Sequence, residues 1–333
     1  MKITMIPGDG IGQEISKSTM DVIDASGANI EWDVVHAGEA VYEDTGKLIP
    51  DEVFASLEKN KIGIKGPMTT PIGKGFRSAN VALRKKYDLY ANTRPIKTLG
   101  NIETKFDNLD LVLFRENTED LYAGVEEKVS EDEMHSIKII TRQGSERIIR
   151  RAFEYAEENN RDHVTVVTKA NIMKLTDGMF LDIAREIAEE YPSIPLKEIL
   201  VDNMAMQLVI DPQQFDVIVT QNLYGDIISD LMAGLIGGLG IVPGSNIGDD
   251  LAIFEAVHGS APDIVGKNLA NPTALILSGC MMLDYINESK AADKIRTALN
   301  RVLSNPENFT SDLGGNTSTK EFTNILINEI KKK

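Results

Sequence analysis

Short apolar runs alternate along this chain with longer segments of helical periodicity, and that alternation limits the fold more than any other feature. Runs at 3–6, 30–35, 62–65, 109–115, 164–168, 199–201, 215–220 and 252–257 read as strands. Segments at 50–59, 145–159, 177–190, 226–235, 273–286, 290–303 and 319–332 read as helices between them. Such an order predicts an α/β fold with a partly parallel sheet. Residues 122–141 interrupt the pattern; they look β-rich and carry an acidic turn at 131–133. Polar side chains recur just past the strand ends, at Arg115, Lys169, Asp202, Asn222 and His258. Ligands of open α/β sheets bind at those ends.

The stretch 69–95 changes character sharply along its length. Thr69, Thr70, Pro71, Gly73 and Gly75 form a turn-rich loop; Ser78 then stands where a helix N-cap belongs, with Val81, Leu83, Arg84 and Lys85 following. A short strand is expected over 89–93, with Arg94 held extended before Pro95. Hydroxyl and amide side chains at a helix start, with Arg84 and Arg94 close by, outline an anion site. The same residues also describe an ordinary capped helix with solvated arginines. Near the N-terminus, Pro7-Gly8-Asp9-Gly10-Ile11-Gly12 follows a strand, but Gln13 occupies the place of the third glycine in GxGxxG. A Rossmann dinucleotide fingerprint is therefore not expected there.

At 333 residues the chain can form two domains or one large one. Its formal charge of −16 argues against nucleic acid or an anionic membrane surface as partner. A small anionic substrate remains compatible, because a local arginine cluster outweighs distant screened carboxylates. The single cysteine, Cys280, excludes an intrachain disulfide and thiolate metal site, and its apolar neighbours point to core packing. No apolar run is long enough to span a bilayer, and strand-like residues begin at once, so no leader is expected. A soluble, reducing, cytoplasmic setting is expected.

Asp226 and Asp230 lie four apart in a helical segment, so their carboxylates face one way. Their apolar neighbours Ile227, Ile228, Leu231 and Met232 argue against a purely solvated face. Paired carboxylates suit a hard divalent cation, Mg²⁺ or Mn²⁺, with Asp202 as a further ligand candidate; so few histidines and cysteines disfavour zinc. Tyr122 and Lys169 are candidate acid–base groups if the fold brings them to the same cleft.

The motifs PGDGIG, GFRSANVALR, FRENTEDLYAG, KANIMK, NLYGDIISD, HGSAPDIVGKNLANPTA and DLGG occur in this order nearly end to end. Together they resemble the β-decarboxylating dehydrogenases, the isocitrate/isopropylmalate dehydrogenase family, and within it the NAD-dependent isocitrate dehydrogenases. The resemblance implies two α/β domains distinct from the Rossmann fold. The larger would span about 1–89 and 237–333 on the cofactor side. The smaller would span 90–236, with a dimer-forming clasp near 120–141.

The resemblance also implies residue roles. Ser78 and Asn80 would contact the γ-carboxylate of isocitrate, and Arg84, Arg94 and Arg115 its other carboxylates through forked donors. Tyr122 would protonate the enolate. Lys169 would take the hydroxyl proton, in a site completed by a second protomer. Asp226 and Asp230 would hold the metal with Asp202 from that protomer, in a homodimer with shared active sites. Thr70, Asn171, His258, Gly259, Asp263, Ile264 and Asn271 would bind NAD. Asp263 and Ile264 replace a lysine and a tyrosine of NADP-dependent relatives, and a carboxylate there would repel a 2′-phosphate. The expected reaction is oxidative decarboxylation of isocitrate to 2-oxoglutarate. The alternatives are a homoisocitrate or 3-isopropylmalate dehydrogenase and a regulatory subunit; Ser78 and Asn80 are too polar for the branched apolar chain of isopropylmalate.

Overall fold

Continuous apolar runs become buried parallel strands, because both faces of such a strand must be covered. The computed structural model describes residues 1–69 and 78–332, with the backbone alone at Ala40. The chain forms two compact units, one of residues 1–83, 98–107 and 236–333, the other of 84–97 and 108–235.

In the first unit the strand order is Glu31–Val34, Lys2–Ile6, Ile62–Lys65, Ala252–Ala256, Pro243–Ile247. The pairings are parallel except the last, where Pro243–Ile247 runs antiparallel to Ala252–Ala256. Helices Gly12–Ser26, Thr273–Tyr285, Ser289–Val302 and Thr319–Lys331 supply apolar faces to the core, among them Ile15, Leu275, Ile295 and Phe322. Lys65 and Glu255, on adjacent strands, form a buried ion pair at 2.7 Å, and Asn246 donates to the same carboxylate at 2.7 Å. Pairing of this kind is what permits two charges inside a sheet.

In the second unit the order is Ala91–Lys97, Asp110–Glu116, Val217–Thr220, Val164–Thr168, Leu196–Leu200. Here Ala91–Lys97 is antiparallel to its neighbour and the remaining pairings are parallel. Helices Arg142–Glu158, Thr176–Ala188, Val201–Ile210 and Asn222–Leu235 belong to this unit. The Thr141 hydroxyl caps the first of these by accepting from the Gly144 N–H at 3.0 Å.

Several local expectations need correction. The run expected to end at Val201 instead begins the helix Val201–Ile210, so Asp202 sits in a first helical turn. Only Met204 and Leu208 of that helix are buried; Met206, Val209 and Ile210 are exposed, which blurs the apolar stripe. Strand Pro243–Ile247 was not expected, since Pro243, Gly244, Ser245 and Asn246 are poor strand formers; pairing with Ala252–Ala256 imposes it. The strand expected over 89–93 runs on through Pro95 to Lys97. The β-rich reading of 122–141 reduces to two exposed three-residue strands, Glu126–Lys128 and Met134–Ser136. Thr70 and the loop glycines that follow it lie outside the described residues. No helix among those described is long and apolar enough to cross a membrane.

Cys280 is 0% exposed inside the core of the first unit, and burial pushes its thiol up to about 12. A thiolate-specific colorimetric reagent should therefore leave the native protein unmodified and react with one thiol per chain once denaturant is added.

Candidate active site

Arg115 lies near the end of strand Asp110–Glu116 and is 1% exposed. It crosses the first turn of helix Asn222–Leu235. There its Nε and Nη2 donate to Asn222 Oδ1 at 2.9 and 2.7 Å, and its Nη1 bonds the Asp226 carboxylate. Residues 222 and 226 are one helical turn apart, so both reach the same guanidinium. Gly225, between them, leaves room for the arginine stem; a Cβ there would stand 2.5 Å from Arg115 Cγ.

Other groups converge on Asp226. The Tyr122 hydroxyl donates to its Oδ2 at 2.5 Å, and the Arg115 guanidinium lies 5.1 Å from the centre of the Tyr122 ring. Arg94, on the neighbouring antiparallel strand, donates to Ser229 Oγ at 2.5 Å and to Asn92 Oδ1 at 2.8 Å. It approaches Asp226 at 3.9 Å and Asp230 at 3.8 Å. Thus the second unit alone assembles two arginines, a tyrosine and two aspartates.

The charges there are mutually adjusted. Burial opposes ionisation of Asp226, but Arg115, the Tyr122 hydrogen bond and Arg94 outweigh it and hold the carboxyl below the usual range. Burial raises Asp230 above that range, with Arg94 opposing and Asp226 adding. Burial and then Asp226 raise Tyr122, which keeps its proton at neutral pH and can donate it. Burial and the nearby Arg84 lower Arg115.

The turn carrying Tyr122 is pinned by carboxylates that read in sequence as an undifferentiated polar run. Glu116 accepts from the Thr118 and Glu119 N–H groups and from the Thr118 hydroxyl. Asp120, 1% exposed and at φ 69, accepts from the Leu223 N–H at 2.8 Å and so ties the turn to the start of the aspartate-bearing helix. Glu119 accepts from the Thr141 N–H and hydroxyl at 3.0 and 2.8 Å. Dense polar residues at a sheet's ligand-binding end were the available signal.

Lys169 and Asp202 form a second group. Lys169 Nζ and Asp202 Oδ1 are 2.5 Å apart, and that hydrogen bond holds the Asp202 carboxyl below its usual range. The Lys169 N–H donates to Asp177 Oδ2 at 2.6 Å; Asp177, fully buried, also accepts from Lys138 Nζ at 2.6 Å and the Tyr224 hydroxyl at 3.1 Å. Among the described residues, neither Lys169 nor Asp202 shares a hydrogen bond or ion pair with Arg115, Tyr122 or Asp226. Nor do any three histidine, cysteine or acidic side chains among them gather as a metal site. The expected ring of ligands is thus two groups in one chain.

Ser78 immediately precedes helix Ala79–Lys86, and its carbonyl accepts from Ala82 N–H at 2.9 Å, as an N-cap carbonyl does. Asn80 and Arg84 follow on that helix one turn apart; Asn80 Oδ1 is buried with no hydrogen bond among the described residues. In the first unit, burial lowers His258, whose Nδ1 meets its neighbour's carbonyl at 3.0 Å and whose Nε2 is buried with no partner among the described residues. Gly259 and Asp263 are exposed and Ile264 is half-buried. Asn271 has a structural engagement: it donates to Asp312 at 3.0 Å and caps the Thr273 N–H at 3.0 Å. Asn171 is exposed, just past strand Val164–Thr168 in the second unit.

The two glycines of helix Asn222–Leu235 should respond oppositely to alanine. Gly225→Ala drives a methyl into Arg115 and should cost about 1–3 kcal/mol, the usual range for overpacking. Gly234→Ala meets nothing within 4 Å and should stabilise by up to about 1 kcal/mol. Urea denaturation of both variants checks the contrast.

A family model described as isocitrate/isopropylmalate dehydrogenase matches residues 2–326. The chain is 49% identical over 328 residues to the mitochondrial NAD isocitrate dehydrogenase catalytic subunit 5 of Arabidopsis thaliana, covering 98% of this chain and 88% of that one. It is 52% identical over 330 residues to a mitochondrial NAD isocitrate dehydrogenase regulatory subunit of Dictyostelium discoideum, covering 99% and 92%. Both names place those relatives in mitochondria, in contrast to the cytoplasmic setting expected from sequence. A crystal structure of isocitrate dehydrogenase from Methylococcus capsulatus superposes with a TM-score of 0.96 at 50% identity, covering 99% of each chain. On the breadth of that family match and these identities, the chain belongs to the isocitrate/isopropylmalate dehydrogenase family.

Proposed function

We propose that the chain is a catalytic NAD-dependent isocitrate dehydrogenase, converting isocitrate to 2-oxoglutarate and CO₂. The observation that carries this reading is the convergence of Arg94, Arg115, Tyr122 and Asp226, held in place before any ligand arrives. A tricarboxylate needs cationic forks in fixed positions, and both guanidiniums are held by neutral partners, Asn222 for Arg115 and Asn92 and Ser229 for Arg94, together with the carboxylate of Asp226. Arg84, whose charge reaches Arg115, adds a third fork, and the family resemblance assigns Ser78 and Asn80 to the remaining carboxylate.

The donor set suits a hard divalent cation. Asp226 and Asp230 present oxygen atoms one helical turn apart, and Asp230 makes no hydrogen bond among the described residues beyond its ion pair with Arg94. A second protomer would bring its own Asp202 and Lys169 as the third ligand and the base. Apolar side chains beside these residues support that arrangement: Ile172 and Leu175 near Lys169, Met206 and Ile210 on the helix of Asp202, and Ile227 beside Asp226 are all exposed. Both named relatives are themselves subunits. We read the assembly as a homodimer.

When bound, Mg²⁺ or Mn²⁺ polarises the substrate hydroxyl and its adjacent carboxylate, and the nicotinamide of NAD is the hydride acceptor. Lys169 is the group placed to accept the hydroxyl proton as C2 loses hydride. The β-carboxylate then leaves as CO₂, and its bonding electron pair remains on the substrate as an enolate. Tyr122 donates its hydroxyl proton to C3, which completes 2-oxoglutarate. Asp263 favours NAD by repelling a 2′-phosphate.

A regulatory role is the second reading, favoured by the identity to the Dictyostelium regulatory subunit. One absorbance assay separates the two. The purified chain alone should reduce NAD with isocitrate and Mg²⁺ or Mn²⁺, far faster than NADP, homoisocitrate or 3-isopropylmalate. Chelation should abolish turnover and added metal restore it. Lys169→Met should lower kcat by about 10²–10⁴-fold, the usual worth of a positioned acid–base group, at near-normal stability. An inactive wild-type chain that raises the activity of a partner protein would establish the regulatory reading instead.

A further inference from the structure

The PGDGIG segment, which fails as a dinucleotide fingerprint, has a different physical role. Three neighbouring parallel strands of the first unit, Lys2–Ile6, Ile62–Lys65 and Ala252–Ala256, end on the same side of the sheet. The segments that follow them, 7–12, 66–69 and 257–260, are bonded to one another. The Asp9 N–H donates to the Pro67 carbonyl at 2.8 Å, and the Ile11 N–H to the Ser260 carbonyl at 3.0 Å. The approach is too close for side chains: a Cβ on Gly8 would lie 2.1 Å from the Pro67 oxygen, and one on Gly10 would lie 2.1 Å from the Ser260 oxygen. Both glycines also have positive φ, 74 and 58.

Asp9 is the centre of this knot. It is 9% exposed, and its two carboxylate oxygens accept from two distant backbone donors, Glu39 N–H at 2.9 Å and Thr69 N–H at 2.8 Å. Among the described residues no lysine, arginine or histidine pairs with it. The Gly38 Cα approaches so closely that a Cβ there would lie 2.2 Å from Asp9 Oδ2. Thr69, held through its N–H, meets the Ser260 hydroxyl with its own at 2.7 Å. Asp9 is therefore linked through the backbone N–H and the side-chain hydroxyl of Thr69 to Ser260, next to His258 and Gly259.

We infer that Asp9 is a positioning residue for the cofactor: through Thr69 it sets the 258–264 segment against the 66–69 segment at the ligand-binding end of the sheet. This rests on the proposed reading of His258, Gly259, Asp263 and Ile264 as NAD-binding. A carboxylate suits the position because both oxygens must accept; asparagine offers one acceptor and turns N–H groups toward a backbone N–H. The loss falls on cofactor affinity, since Asp9 belongs to neither Arg94, Arg115, Tyr122 nor the acidic pair.

Calorimetric titration with NADH tests this without any substrate, alongside steady-state kinetics and thermal unfolding. Asp9→Asn should weaken NADH binding and raise KM for NAD by about tenfold, the equivalent of about 1.4 kcal/mol. Its kcat at saturating NAD and its KM for isocitrate should stay within about twofold of wild type. Thr69→Val keeps the Asp9 cradle and deletes only the hydroxyl that meets Ser260. It should weaken NADH binding in the same direction by a smaller factor, and it decides the matter alone if Asp9→Asn does not fold. Unchanged NADH affinity in a folded Asp9→Asn, or in Thr69→Val when only that variant folds, overturns the inference. So does a fall in kcat at saturating NAD with affinity intact. Wild-type protein that binds neither NADH nor NADPH would overturn the cofactor reading itself, a result distinct from equal binding by wild type and variant.

Discussion

A guanidinium buried to 1% exposure sets the terms for the second unit. Removing such a charge from water costs several kcal/mol unless hydrogen bonds and an opposite charge offset it. Arg115 obtains both from a single helical turn: Asn222 accepts two of its N–H groups, and Asp226 supplies the charge. The helix must then come close, so position 225 has no side chain. Asp226, once fixed by Arg115, becomes the acceptor that orients the Tyr122 hydroxyl. One desolvated cation thereby aligns a strand, a helix and a turn, and the same contacts tune the ionisation of the aspartate and the tyrosine.

Carboxylates complete that frame without entering the chemistry. Glu116, Glu119 and Asp120 accept almost entirely from backbone N–H groups and from hydroxyls, so they fix the 116–123 segment by geometry. Asp177 does the same for the Lys169 N–H. The first unit uses Asp9 likewise, bonding two N–H donors from segments far apart in sequence. The acidic composition thus has an internal explanation in part: carboxylates whose two oxygens can each take a donor are the joints between loops at the strand ends.

The α/β class and most strands were legible because buried parallel strands are continuous apolar runs. The pairing of Asp226 with Asp230 was legible from helical spacing alone. Helix Val201–Ile210 was not, because an exposed apolar face hides its periodicity, and strand Pro243–Ile247 exists only through its partner strand. Nor did local sequence distinguish Asp120 from Glu119 or Glu116. Their roles depend on where the Leu223 N–H and the Thr141 hydroxyl arrive in three dimensions. Resemblance to known motifs nominated Asn271 for the cofactor; that its amide also bonds Asp312 and the Thr273 N–H could not be read from the motif.

The division of acidic groups within one chain bears on assembly. Asp226 and Asp230 lean toward arginines, whereas Asp202 is bonded to Lys169, and no bond joins the two sets among the described residues. A cation demanding several oxygen ligands finds at most two protein carboxylates in the first set. Each set nevertheless borders apolar side chains open to solvent: Ile227 by the first, Ile172, Leu175, Met206 and Ile210 by the second. Water is a poor neighbour for that much aliphatic surface, and covering it removes the cost. If two chains associate through these patches, burial of the aliphatic surface drives the same contact that delivers Asp202 and Lys169 to the other chain's aspartates. In the proposed enzyme, assembly and completion of the site would then be a single event.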